Sequence, residues 1–475
     1  MPAPRTLAEL EADVARDLAL IAHPRAEWLE PKTGGGRPVL DVLIVGAGQC
    51  GVVAGFALLR EKVRNILVID RAEAGREGPW LTYARMPNLR SWKDQSGPDL
   101  AIPSLTYQAW HEARFGAASW EKLELIPKEY WNDYLLWHRR VTGVPVRNGV
   151  EALSVAPART DCGLPCLRVE TSAGPLLARK LVLATGQEDA GRWWMPEPIA
   201  ALPAQLRAHT ADPIDFAALR GKRVAVLGAG ASALDNAAMA LEAGAAEVVL
   251  HCRRQAPQLV QPYRWLTFSG FLQHLHAVPD EWRWRFMAHV LGLRESFPQA
   301  TWDRAARFPN FRMETGRAWL DARVGPDGRA LVETTRGPFS ADFLICGTGM
   351  RPDFDRVPLL AGFAHNIARW SDRYTPPPEE ADARLGAFPY LAPDYAFEER
   401  EAGATPWIRD IHLFGISTTM SFGPAGASIN AMVYAVPRLA AGVTRGLFEA
   451  DLPRLWQDLR TYDVRIAEVD RLAAE

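Results

Sequence analysis

Apolar runs that end abruptly in glycine recur along the chain. Residues 42–45 read Val-Leu-Ile-Val and run into Gly46, Gly48 and Gly51, and 223–227 run into Gly228, Gly230 and Ala233. The stretches 180–186, 342–349 and 411–415 end in Ala-Thr-Gly, Gly-Thr-Gly and a single glycine. Continuous apolar runs of four to eight residues, rich in β-branched side chains, predict strands covered on both faces, as in a parallel sheet. After the first and second glycine clusters the pattern changes to helical, over 52–62 and from Ala231 onward, and new apolar runs follow at 66–69 and 247–250. Strand, tight turn, helix and strand therefore occur twice, which predicts an α/β chain with two Rossmann-like dinucleotide-binding domains.

The rest of the pattern supplies the frame. Leu7, Leu10, Val14, Leu18 and Ile21 recur at helical steps, so the N-terminus is expected to form an amphipathic helix that packs on the body or on a second subunit. Its successor, 31–38, reads as a linker from its glycines and prolines. Aromatic residues at helical spacing fill 104–142, where core packing is the expectation, and 150–157 and 165–172 read as short strands. The stretch 255–323, with His274, His276 and His289 among many aromatics, reads as a helical insertion of the second unit. The expected division is 1–37 for the N-terminal helix and linker, 38–186 with 340–450 for the first nucleotide domain, 187–339 for the second, and 451–475 for a C-terminal helix.

The three glycines of the first cluster act differently. Gly46 makes the turn, Gly48 lets backbone approach a pyrophosphate, and Gly51 lets helix pack on strand. Gln49 and Cys50 lie between them, where the helix N-terminus attracts the phosphates. The strand at 66–69 ends in Asp70 and Arg71, with the carboxylate at the distance that ribose recognition requires. In the second unit Gly228, Gly230, Ser232 and Ala233 occupy the equivalent turn. Its following strand ends in His251, Cys252, Arg253 and Arg254 with no acidic residue. Guanidinium groups bind a 2′-phosphate that a carboxylate would repel, so the expected ligand is NADPH, with NADH less favoured; a solvated strand end is the alternative.

Composition narrows the function classes. The 54 basic and 56 acidic residues balance to a net charge of -2, which gives no electrostatic reason to expect nucleic acid or an anionic membrane as partner. No apolar run is long enough for a membrane span and no signal peptide is evident, so a cytoplasmic location is expected. Five scattered cysteines fit a reducing compartment, and Cys162 and Cys166 lack the spacing of a dithiol centre. No metal site is expected, because the histidines lack carboxylate and thiol company.

Between the two units stand Gly78-Pro79-Trp80, then Arg85, Pro87 and Arg90, and Ser91, Trp92, Lys93 and Asp94. This order resembles the segment that wraps the flavin ring in class B flavin-dependent monooxygenases, although Ser91 and Trp92 stand where a Cys-Asp pair is usual. Ser91, Lys93 and Asp94 are also similar to the Ser-Phe-Leu-Lys-Asp-Leu stretch of ornithine and lysine N-hydroxylases, one residue shorter. Thr185-Gly186 and Thr348-Gly349 match the two crossings between domains, His209 and Thr210 partly match the linker fingerprint, and Gly423 and Gly426 match the closing glycine loop before a helix. The resemblance covers 39 to about 445 and implies the three-layer ββα form of the nucleotide domains, with FAD in the first and NADPH in the second. It implies a monooxygenase acting through a C4a-hydroperoxyflavin on a small polar substrate with O2. Lys93, Asp94 and His209 would serve substrate and domain movement. The cofactors would rest on the two glycine clusters with Asp70, Arg71, Trp80, Arg85, Arg90, Trp92, Thr185, Gly186, Arg253, Arg254, Thr348, Gly349, Gly423 and Gly426. The chain is also similar to bacterial FAD-dependent urate hydroxylases, so urate or a related N-heterocycle stands beside amine N-hydroxylation and sulfoxidation. An NADPH-dependent reductase with a separate acceptor, and a non-catalytic flavin-binding protein, are the alternatives.

Overall fold

The computed structural model describes residues 6–189, 191–426 and 428–468. Its first sheet has eight strands, with the central path 146–148, 66–70, 37–45, 176–183, 165–171 and 152–159. The first four of these are parallel, and Val42 to Val45 pair with Ile66 to Ile69 on one side and with Lys180 to Leu183 on the other. Both faces of Arg37–Val45 are covered from Val42 onward, which is why the run shows no alternation. The last strand, Ile411–Leu413, returns from far along the chain to pair in parallel with Leu181 to Leu183.

The second sheet is wholly parallel, in the order 311–314, 247–251, 223–227, 343–346 and 207–209. A three-stranded antiparallel sheet, 319–324, 330–334 and 339–341, lies beside it. The two large sheets are joined where Gly191–Trp193 pairs antiparallel with Met350–Pro352.

Several sequence expectations need correction. The linker at 31–38 is a hairpin: Lys32–Gly34 pairs with Pro38 and its neighbours, and Gly35 and Gly36, both at positive φ, form the two-residue turn that such a hairpin needs. The helical insertion ends at Ala306; Phe311–Glu314 and Trp319–Val324 are strands, the first with Phe311 and Met313 packed in the second unit's core. No separate C-terminal helix begins at 451. One 30-residue helix, Met432–Thr461, runs through Pro437 and Pro453, and 462–468 are not helical. It is fastened to the first sheet at its far end, where Arg179 Nη2 donates to Asp451 Oδ1 at 2.8 Å and to the Leu447 carbonyl at 3.2 Å. The N-terminal helix Leu7–Leu20 is closed by a Thr6–Glu9 capping box and buries Leu10 and Val14 against the aromatic helices of 107–142. There Trp110, Trp131 and Tyr134 are almost wholly enclosed, as helical spacing of large apolar groups requires.

Candidate active site

The first glycine turn is built by close approaches. Gly46 has φ +103, and a Cβ on it would stand 2.4 Å from the Ala184 carbonyl oxygen; a Cβ on Gly51 would stand 1.8 Å from the Gly46 oxygen. Only glycine fits at both. The helix Gln49–Arg60 has Gly48 as its N-cap and no side chain capping its first amides. Those amides are open to an anion. The nearest atom to a Cβ on Gly48 would be the Gly78 Cα, 3.7 Å away, so two bare backbones face each other across a slot. Trp80 is buried beside this turn with Nε1 lacking a partner, and packs edge-on against Trp131, whose own Nε1 donates to Gln49 Oε1 at 3.4 Å. Cys50 is buried, and desolvation, then the charge of Asp189, pushes its thiol up to about 12. It is a packing residue of the turn and not a nucleophile.

Asp70 closes the same turn. Its Oδ2 accepts from the Ala47 amide at 2.7 Å and its Oδ1 from the Ala72 amide at 2.8 Å, leaving lone pairs on each oxygen for a hydroxyl. Arg71 is exposed and reaches Glu188 Oε2 at 2.5 Å, next to the Thr185-Gly186 crossing. Asp189, which the motifs do not single out, is 1% exposed and takes the Ser417 amide and hydroxyl at 2.8 and 2.7 Å. Gly415 is glycine because a Cβ there would meet that carboxylate at 2.4 Å. The expected helix behind Gly423 and Gly426 starts only at Met432, after two short 3-10 turns. Gly423, at φ +70, is instead walled by Phe271 and Leu275 of the insertion. Insertion residues Phe271, Trp284 and Met287 share a core with Trp370, Leu385 and Met420, so the insertion is packed on the first unit's closing segment.

The second glycine turn repeats the design with more room. A Cβ on Gly228 would strike the Gly347 oxygen at 2.5 Å, whereas one on Gly230 would meet nothing within 4 Å. The helix Ala231–Glu242 has no side-chain cap, and Ser232 is exposed at its first turn while Ala233 is buried against Gly347. Thr348 donates to the Trp194 carbonyl and the Gly349 carbonyl accepts from the Trp194 amide at 2.9 Å, fixing the second crossing.

At the strand end the two expected arginines part. Arg254 donates to the carbonyls of Leu293 and Gly292 at 2.9 and 2.7 Å, so it caps an insertion helix. Arg253 is exposed and has no hydrogen bond or ion pair among the described residues. Two arginines that no sequence motif marks stand close by. Desolvation and then the charges of Arg384, Arg253, Arg254 and Arg351 hold Arg294 below its ordinary pKa, and Arg351 is lowered by desolvation and then by Arg384, Arg192 and Arg253. Arg351 Cζ lies over Trp194, 3.4 Å from the ring centre. These guanidiniums stand near one another at the strand end, with Arg384 paired to Asp382 and Arg192 to Asp353, while Arg253 is left without a partner among the described residues. Glu314 also reaches this edge, in register with His251 and held by Arg317.

The remaining expected site residues are spread over separate elements. Lys93 Nζ donates to the Trp120 carbonyl at 2.8 Å and sits 4.6 Å from that ring's centre, facing the aromatic helices. Asp94 is exposed, and Trp92 is 64% exposed beneath the Arg264 guanidinium. Arg85 and Arg90 turn to the second unit, where they meet the Asp212 carbonyl at 3.1 Å and Asp235 at 2.6 Å. His209 is 1% exposed in the linker strand, its ring 5.1 Å from Trp193. Its Nδ1 accepts from the Ala211 amide at 3.1 Å, and burial lowers it to about 4, so it stays neutral with the proton on Nε2. Among the described residues no group of His, Cys, Asp or Glu could hold a metal, and no helix is long and apolar enough to cross a membrane.

The pyridine nucleotide-disulphide oxidoreductase family matches residues 43–267. A FAD-dependent urate hydroxylase from Xanthomonas campestris is 40% identical over 459 residues, 96% of each chain. The chain belongs to the class B flavin-dependent monooxygenases. Solved monooxygenases share the fold at low identity. L-lysine 6-monooxygenase from Pseudomonas syringae superposes with a TM-score of 0.66 at 18% identity, over 86% of this chain and all of that one. Kutzneria ornithine N-hydroxylase, in a structure with reduced FAD, NADP+ and L-ornithine, gives 0.63 at 17% identity over 86% and 99%. This monooxygenase carries Cys162 and Cys166 on the edge hairpin 152–171, away from the central strands that bear the glycine turns, so the sheet brings no thiol pair to them.

Proposed function

We propose that this flavin monooxygenase binds FAD at the Gly46 turn and NADPH at the Gly228 turn, and hydroxylates urate or a closely related N-heterocycle. The observation that carries the substrate is the 40% identity, across nearly the whole length of both chains, to a urate hydroxylase. Both turns fit an anionic nucleotide, with uncapped helix N-termini and glycines whose Cβ atoms would clash or fill the slot. FAD, when bound and reduced by NADPH, supplies the activation of dioxygen and the transfer of one oxygen atom.

The chain's own residues bind, orient and enclose. Asp70 would take the ribose of FAD, and the Gly48 and Gly78 backbones would flank its pyrophosphate. Arg253, Arg294 and Arg351 would hold the 2′-phosphate of NADPH, with Arg254 as the cap that fixes the insertion helix beside them. Phe271 and Leu275 screen the Gly423 loop from water, which oxygen chemistry on a flavin requires. We assign Lys93 to the wall formed with Trp120, and His209 to the crossing between units. Amine N-hydroxylation is the second reading, favoured by the fold neighbours, but the turn of Lys93 toward Trp120 leaves a substrate carboxylate without the expected anchor.

The test is a panel of urate, xanthine, lysine, ornithine, cadaverine and a thioether, with NADPH oxidation, oxygen uptake and product mass recorded together. Urate is expected to speed NADPH oxidation and to yield a product one oxygen heavier. A hydroxylamine from an amine, with no urate product, would overturn the substrate assignment. Arg294→Ala combined with Arg351→Ala is expected to raise half-saturation for NADPH by tenfold or more and leave NADH unchanged, since each charge-assisted contact contributes about 1.5–3 kcal/mol.

A further inference from the structure

The loop 85–94 of the first unit is bonded to three separate parts of the second. Arg90 Nη2 donates to Asp235 Oδ2 at 2.6 Å, and Asp235 lies on the nucleotide-turn helix Ala231–Glu242 with its side chain 2% exposed, against 30% for Arg90. Arg304, from the helix Gln299–Ala306, donates to the Arg85 carbonyl at 2.9 Å and places Nη1 3.7 Å from Asp235 Oδ1. The same guanidinium meets Glu242, on the helix that bears Asp235, at 2.6 Å. Arg85 itself donates to the Asp212 carbonyl at 3.1 Å and lies over Phe216. Asp235 Oδ1 is buried without a hydrogen bond among the described residues. The chain itself crosses between the two sheets at Gly191–Trp193 and Met350–Pro352, and the insertion packs separately on the first unit's closing segment. Those crossings run side by side in one antiparallel ribbon. A ribbon of two adjacent strands is a single line of attachment, so it leaves rotation about that line open, and an off-line bond to the nucleotide helix closes it.

We infer that the Arg90–Asp235 pair is a clasp that sets the angle between the two nucleotide units and thereby the approach of the nicotinamide to the flavin. Both are positioning residues, acting through the helix that would hold NADPH. The inference rests on the FAD and NADPH assignment above. A charged pair suits this role because Arg90 is the nearest cation to the buried carboxylate, at 2.6 Å against 3.7 Å for Arg304, and other docking angles would withdraw it.

The experiment uses the FAD-loaded enzyme and the variants Arg90→Leu, Asp235→Asn, Arg90→Lys and the double Arg90→Leu/Asp235→Asn. Flavin bleaching at saturating NADPH is followed without oxygen, and amide exchange is read by mass spectrometry. Arg90→Leu and Asp235→Asn are expected to slow bleaching at least tenfold, with half-saturation for NADPH within threefold of the wild type. Exchange is expected to rise in 191–193 and 350–352 but not in 37–45 or 223–227. The double variant should be no slower than Arg90→Leu, and Arg90→Lys should recover part of the rate. Unchanged bleaching with unchanged exchange, or single effects that multiply in the double variant, would overturn the clasp. Should Arg90→Leu fail to fold, the near-isosteric Asp235→Asn decides by the same two readouts. A wild type that NADPH does not bleach would sink the cofactor assignment, whereas the exchange readout would still judge the clasp.

Discussion

Replacing Asp41 by Asn should flatten one part of the pH dependence of stability. Arg179 lies beneath the first sheet with 3% of its side chain exposed, between Asp451 at 2.8 Å and Asp41 at 3.3 Å. One guanidinium cannot neutralise two buried carboxylates, and the more loosely held one yields. Burial pushes Asp41 up to about 6 against the pull of Arg179, with the Asp451 charge adding to the rise. Because the folded pKa lies above the unfolded value of about 3.9, the folded chain binds this proton more tightly. Its contribution is complete below the unfolded pKa and is lost as pH rises through 6. Integrated between pH 5 and pH 7, the loss is on the order of 1 kcal/mol. The assay is urea unfolding of wild type and Asp41→Asn at half-unit steps from pH 5 to 7.5, followed by tryptophan fluorescence. The wild type should lose on the order of 1 kcal/mol more than the variant across that range. Parallel curves would refute the reasoning, as would a wild type that gains stability relative to the variant with rising pH.

Other outcomes follow from the glycine contacts and the thiols. Gly51→Ala places a methyl 1.8 Å from the Gly46 oxygen and should yield protein that purifies without yellow colour, read from the flavin absorbance. Gly230→Ala meets no atom within 4 Å, so its unfolding free energy should stay within about 0.5 kcal/mol of wild type. Its half-saturation for NADPH should nonetheless rise tenfold or more, since the methyl fills the space a phosphate needs; unchanged saturation would remove the nucleotide from this turn. Iodoacetamide at pH 8 should label the exposed Cys162 in the native protein and spare Cys50, Cys252 and Cys346, all buried, as read by peptide mass. Rapid native labelling of Cys50 would contradict its enclosure.

The parallel strands were legible because burial on both faces leaves uninterrupted apolar runs, and the turns because no other residue than glycine fits against Ala184 or Gly347. Where composition stood in for geometry, the reading failed. Three glycines between prolines look like a linker, yet Gly35 and Gly36 supply the positive φ of a hairpin. A separate C-terminal helix was expected from 451, yet one helix runs on through Pro437 and Pro453, held by tertiary bonds such as Arg179 to Asp451. The motif segment 85–94 was identifiable, but the destination of its arginines was not, because Asp235 and Arg304 come from remote parts of the chain. Arg294 and Arg351, proposed above for the 2′-phosphate, were invisible for the same reason: a cluster assembled from separate elements has no local spacing. Asp189 left no signal, since a lone carboxylate after Ala-Thr-Gly resembles any loop residue.

The place of the strand Ile411–Leu413 has a consequence for synthesis. It pairs with Leu181 to Leu183, strand residues made more than two hundred positions earlier, and the entire second unit lies in the chain between them. While the ribosome is still translating that unit, the first sheet has six strands of its central path and an unfilled edge along Leu181 to Leu183. The second unit can close its parallel sheet as soon as 343–346 emerges, so the part of the enzyme whose glycine turn is made first is the part completed last.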